Sequence, residues 1–139
     1  MFKRILVASD GSGTSLKAAR IAGEVAKTYS AALTVATVAY FPRVYASDVS
    51  SDMMEGYLQE WKRVLKSTVD AVKAIGADPE GRLLREEEPA RALLDEAERG
   101  GYDLLVVGRT GAGSPGSKMM GGVSRKLAEG AACSVLIVR

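Results

Sequence analysis

Residues 103–124, DLLVVGRTGAGSPGSKMMGGVS, decide the fold. Asp103 to Gly108 (DLLVVG) is the most apolar of the candidate strands. A short unbroken apolar run bounded by turn residues reads as a strand buried on both faces. A glycine-rich run follows at once, and Val123 to Ala131 then reads as a short helix. A strand feeding a helix in this way calls for a further parallel strand, and Ser134 to Val138 (SVLIV) supplies it at the chain end.

The same alternation extends towards the N-terminus. Lys3 to Ser9 (KRILVAS) is a short apolar strand ending in the turn cluster Asp10-Gly11-Ser12-Gly13. Leu16, Ala19, Ala22, Val25, Ala26 and Tyr29 keep helical spacing, which predicts a helix over 14–30. Leu33 to Tyr40 (LTVATVAY) is β-branched and strand-like, closed by Phe41-Pro42, and residues 43–52 read as a loop. Met54, Tyr57, Leu58, Trp61, Val64, Leu65, Thr68, Val69 and Val72 trace one face of a long helix that Gly76 ends, a stripe expected to face the core. Arg82 to Glu86 is a weak, charged strand expected near solvent. Pro89 opens a helix through Arg99, and Gly100-Gly101 stops it. Strands alternating with helices imply an α/β fold, with a mostly parallel sheet covered on both faces. Such sheets bind ligands at the carboxyl ends of their strands.

With 139 residues the chain fits one domain, 1–139. Its 47% hydrophobic and 26% charged residues fit a packed core rather than a disordered chain. The net charge of +2 is spread without a basic run, so neither nucleic acid nor membrane is an expected partner. Cys133, the single cysteine, lies among apolar neighbours and is expected to be a packed, inert thiol. The apolar run before Ser9 is too short for a signal segment or a membrane span, and a cytoplasmic protein is expected. There is no histidine. That removes imidazole bases, histidine-held metals and the Ser-His-Asp triad. Carboxylates, hydroxyls, backbone amides, Lys and Arg remain.

Those groups converge on residues 108–124. Glycines let backbone N–H groups approach an anion, and the helix that follows adds free donors and a positive dipole end. Ser124 can donate its hydroxyl to a phosphate or cap the helix, while Arg109, Lys118 and Arg125 bring charge. A P-loop is excluded, because Ser117 stands where its lysine belongs. A G-x-G-x-x-G string is present at Gly111, Gly113 and Gly116. Pro115 interrupts it, and no strand end about twenty residues on offers an acidic ribose partner.

A third pattern is Gly108-x2-Gly111-x9-Gly121, followed by Gly122-Val123-Ser124. Together with the opening KRILVASDGS and the closing CSVLIVR, it resembles the universal stress protein family over the whole chain. The resemblance implies an adenine-nucleotide alpha-hydrolase-like fold, with a five-stranded parallel sheet in order 3-2-1-4-5 and helices on both faces. It also implies a homodimer through the last strand, 134–138, and an ATP site, with AMP or ADP as alternatives and Mg2+ carried by the nucleotide. By the same resemblance Gly108, Gly111 and Gly121 surround the phosphates, and Val123 and Ser124 follow the motif. Asp10 lies beside ribose and adenine, and Val38 and Val107 lie near the base. One position departs: the family's Ser/Thr after the third glycine is Gly122 here, which removes one hydroxyl donor.

The implied function is an adenine-nucleotide-binding dimeric regulatory or stress-response protein. The alternatives are a dimer that binds no nucleotide and a slow ATPase. In the alternatives Asp10 serves only as a helix cap or in an Asx-turn, and Ser124 only as an N-cap. Catalytic residues are expected to be none, since Asp10 is the sole carboxylate at the site. Residues 41–55 are expected to be a crossover loop rather than a lid. Gly121→Val is expected to block phosphate entry with the fold intact.

Overall fold

The computed structural model describes residues 1–40, 50–111 and 120–139. Strand and helix alternate along the chain: β1 (Arg4–Ala8), α1 (Gly13–Tyr29), β2 (Ala32–Tyr40), α2 (Ser51–Ala74), β3 (Glu80–Glu86), α3 (Pro89–Arg99), β4 (Leu104–Gly108), α4 (Gly122–Gly130) and β5 (Ser134–Val138). The five strands form one sheet in the order β3-β2-β1-β4-β5, and every neighbouring pair is parallel. The expected fold class and strand order are therefore those of the structure.

The central strands are mostly apolar, with Thr34 and Thr37 of β2 the buried polar exceptions, because each side of the sheet carries helices. On β1, Ile5 and Val7 pack with Ala18, Ala19 and Ala22 of α1 and Val72 of α2. Leu6, between them, packs on the opposite face with Leu93 of α3 and Leu127 of α4. This is the period-two alternation of a strand, applied to two cores instead of one. Leu6 and Leu105 are wholly buried, and truncating either to Ala costs about 2–5 kcal/mol. At the amino end, the Asp103 carboxylate accepts the N–H groups of Lys3 at 2.8 Å and Arg4 at 3.1 Å, tying β1 to β4.

The exposed, charged β3 lies at the sheet edge, as its composition suggested. Two expectations change on α2. Its first turn already includes Ser51 and Asp52, because Ser50 caps it and accepts the Met53 amide at 3.2 Å. Its apolar stripe is not uniformly core: only Thr68 and Val72 are buried. The reason is length. A helix of 24 residues runs about 36 Å, whereas the seven residues of β3 span about 23 Å. The amino-terminal half of α2 overhangs the carboxyl edge of the sheet, which brings Trp61 towards the site described next. Of the crossover reading, residues 41–49 lie outside the described residues.

Candidate functional site

The chain leaves β1 for β2 on one side, while β4 pairs with β1 on the other. That divergence opens a crevice above the carboxyl ends of β1 and β4, the point where open α/β sheets bind ligands. A cavity of about 390 Å3 occupies it, within the size range of small-molecule sites. Asp10, Val38, Val107, Gly108, Gly111, Gly121, Gly122, Val123 and Ser124 all line it, so the residues that the family resemblance implies for the site meet there.

One end of the cavity is built from loops. Asp10 Oδ1 accepts the Ser12 amide at 3.0 Å, an Asx-turn in which Gly11 takes φ +86°. Asp10 does not cap α1: Ser12 does, accepting the Ser15 amide at 3.2 Å. Gly108 is required by close approach, since a Cβ there would come within 2.9 Å of Thr14 Cγ2 and 3.3 Å of the Ser15 amide nitrogen. A Cβ on Gly111 would reach 2.5 Å from Asp10 Oδ2, so the motif's second glycine lies directly against the aspartate.

The Arg109 carbonyl closes the loop at its base. It accepts the Gly121 amide at 2.8 Å and the Ser124 hydroxyl at 2.8 Å. The sequence assigned Ser124 to a phosphate or to the cap, but it is the third residue of α4 and Gly121 is the N-cap. Its hydroxyl lies 2.8 Å from the Arg109 carbonyl oxygen and 3.0 Å from that of Gly121. Gly121 is also less tolerant than expected, because a Cβ there would lie 3.2 Å from the Arg109 oxygen. Gly121→Val therefore disturbs the loop as well as any ligand. At Gly122 a Cβ would meet nothing within 4 Å.

The amides of Gly122, Val123 and Ser124 open α4 and have no acceptor among the described residues. A helix start leaves such donors with the positive end of its dipole. The opposite end of the cavity is apolar, with Val38, Val107, Leu93 and Pro89 joined by Tyr40 and Trp61. The site is thus a donor-rich end and an apolar end, with Asp10 between the two loops. Those features fit a phosphate-bearing molecule with a flat apolar part. Among the described residues no three His, Cys, Asp or Glu side chains gather to hold a metal, and no helix is long and apolar enough to cross a membrane.

Sequence reasoning missed Tyr40 and Trp61. Trp61 was visible as part of the α2 stripe, but periodicity does not tell a core face from a cavity wall. Arg109 was expected to bring charge, and it lines the cavity as well. Arg125 is exposed on α4 and does not line it. Gly113, Pro115, Gly116, Ser117 and Lys118 lie outside the described residues.

A curated relative, the universal stress protein in the QAH/OAS sulfhydrylase 3' region of Thermus aquaticus, is 35% identical over the full length of both chains. A solved universal stress protein in complex with cAMP is 32% identical, with a TM-score of 0.75 over 99% of this chain and 97% of that one. The protein UspA of Lactobacillus plantarum superposes with a TM-score of 0.84 at 24% identity, covering 99% and 98% of the two chains. The universal stress protein family model matches residues 1–139. Sequence motif, strand order and full-length similarity agree, and the chain belongs to the universal stress protein family.

Proposed function

We propose that the cavity binds an adenine nucleotide and that binding is the protein's activity. The observation that carries this is the row of amides at Gly122, Val123 and Ser124 that have no acceptor among the described residues, on three residues lining the same cavity as Val38, Val107, Leu93 and Trp61. An anion at a helix start gains both hydrogen bonds and a favourable dipole. The relative solved with cAMP supports the ligand class. Asp10, held by the Ser12 amide, would take the ribose hydroxyls, and the α4 amides the phosphates. ATP is the proposed physiological ligand, with Mg2+ held through its phosphates. Asp10 is the only carboxylate among the described residues that line the cavity. Hydrolysis needs groups that orient water and neutralise developing charge, so turnover without a partner would be slow.

The proposed assembly is a homodimer through β5. That strand is the sheet edge, Leu136 is 36% exposed, and Val135 and Ile137 are only half-buried. An apolar edge left open invites pairing.

The deciding experiment is to purify the protein, denature it and identify the released nucleotide by mass spectrometry, with calorimetric titration of ATP and AMP alongside. Stoichiometric adenine nucleotide or saturable binding is expected. An empty preparation with no heat of binding for either nucleotide would leave the nucleotide-free dimer as the better reading.

A further inference from the structure

We propose that Trp61 forms one wall of the base subsite and stacks on the base, with Tyr57 as its positioning residue. The proposal rests on the nucleotide reading above and adds a recognition element from outside the glycine motif. Trp61 comes from α2, on one side of the sheet, whereas Pro89 and Leu93 come from α3 on the other. All three line the same cavity. The apolar end is therefore a slot between the two helical layers, floored by strand residues such as Val38 and Val107.

Trp61 is half-buried and held in place. The Tyr57 ring meets it edge-on, with centroids 6.1 Å apart and an interplanar angle of 77°. The Tyr57 hydroxyl donates to the carbonyl of Tyr40, the last residue of β2. Tyr57 thus links the end of β2 to the overhanging half of α2 and fixes the ring beside the cavity. A preorganised indole presents a large flat surface at little ordering cost. Stacking gains with ring overlap, so a purine profits more than a pyrimidine.

Trp61 is the only tryptophan in the chain, so its fluorescence reports on this wall alone. In the full-length protein, titration with AMP or ATP is expected to quench or shift the emission. Trp61→Ala is expected to weaken both nucleotides about fivefold or more, since base–aromatic stacking is commonly worth about 1–3 kcal/mol. It should leave inorganic tripolyphosphate binding unchanged and narrow the preference for ATP over UTP. Trp61→Phe should restore most of the affinity. Tyr57→Phe, which keeps the ring and loses the donor, should shift the emission maximum and weaken ATP less than Trp61→Ala does. Thermal unfolding of each variant separates a folding defect from a binding one. If the wild type binds ATP, Asp10→Ala weakens it and Trp61→Ala does not, the Trp61 wall is wrong while the site stands. If the wild type binds no nucleotide, both fall together.

Discussion

The Ser124 hydroxyl lies 2.8 Å from the carbonyl oxygen of Arg109, fifteen positions earlier in the chain. That oxygen also takes the Gly121 amide at 2.8 Å. One carbonyl oxygen thus joins the end of β4 to the start of α4. Ser124 is buried, so its contact is shielded from competing water. Ser124→Ala is expected to cost about 1 kcal/mol of stability, read as a lower urea midpoint with an unchanged slope. It should also weaken nucleotide by loosening the donors of α4. An unchanged midpoint would remove the closing role assigned to this hydroxyl.

Gly111 and Asp10 make a second pair across the site. A Cβ at 111 would sit 2.5 Å from Asp10 Oδ2, while Oδ1 is tied to the Ser12 amide. Gly111→Ala should therefore push the carboxylate off its position and weaken nucleotide binding, as Asp10→Ala should. In an Asp10→Ala background the clash is gone, and Gly111→Ala should cost little more. Residues in contact couple in this way, and distant ones do not. Calorimetry on the four proteins gives the coupling. Strictly additive losses would mean that Gly111 serves the ligand by some route other than Asp10.

The amino end of the sheet carries a pH dependence. Backbone N–H groups, that of Lys3 foremost, hold the Asp103 carboxyl below its ordinary value. A carboxylate with a lowered folded-state value contributes stability that is complete above its unfolded value, about pH 4. The contribution is lost as pH falls through the lowered one. Asp103 is solvent-facing, so the effect is small. Asp103→Asn should be less stable than the wild type at neutral pH, and the difference should shrink on acidification. A constant difference down to pH 3 would show that the ionised carboxylate is not the stabilising form.

Most of the fold was legible because strand and helix alternate along the chain, the central strands as short apolar runs and the helices with apolar residues at helical spacing. β5 begins and ends where SVLIV does, and α3 starts at Pro89. The differences fell where local pattern is not the deciding force. Ser124 has the chemistry of a cap, yet Gly121 caps α4 and the Ser124 hydroxyl lies against the long-range Arg109 carbonyl. Trp61 has the spacing of a core residue, yet the helix that carries it outruns the sheet. Asp10 was open between capping and turn formation, because Ser12, two residues on, serves equally well as a cap. The cavity-lining glycines were readable through the family resemblance that their spacing carries, but the apolar end required knowing which two helical layers meet there.

Gly122 offers the sharpest test of the donor end. It is the first residue of α4, it lines the cavity, and a Cβ there meets nothing within 4 Å. Its φ is not among the positive ones, so an L residue fits the backbone. Gly122→Ser should fold as well as the wild type or slightly better, since the unfolded chain loses freedom. It also places a hydroxyl beside the amides proposed to hold phosphate. One added neutral hydrogen bond is worth about 0.5–1.5 kcal/mol, an affinity gain of roughly two- to tenfold. Parallel ATP and AMP titrations of wild type and Gly122→Ser, with thermal unfolding as the control, measure it. A gain for either nucleotide at unchanged stability would put the phosphates at the start of α4. Unchanged affinity in a normally folded variant would put them elsewhere in the cavity.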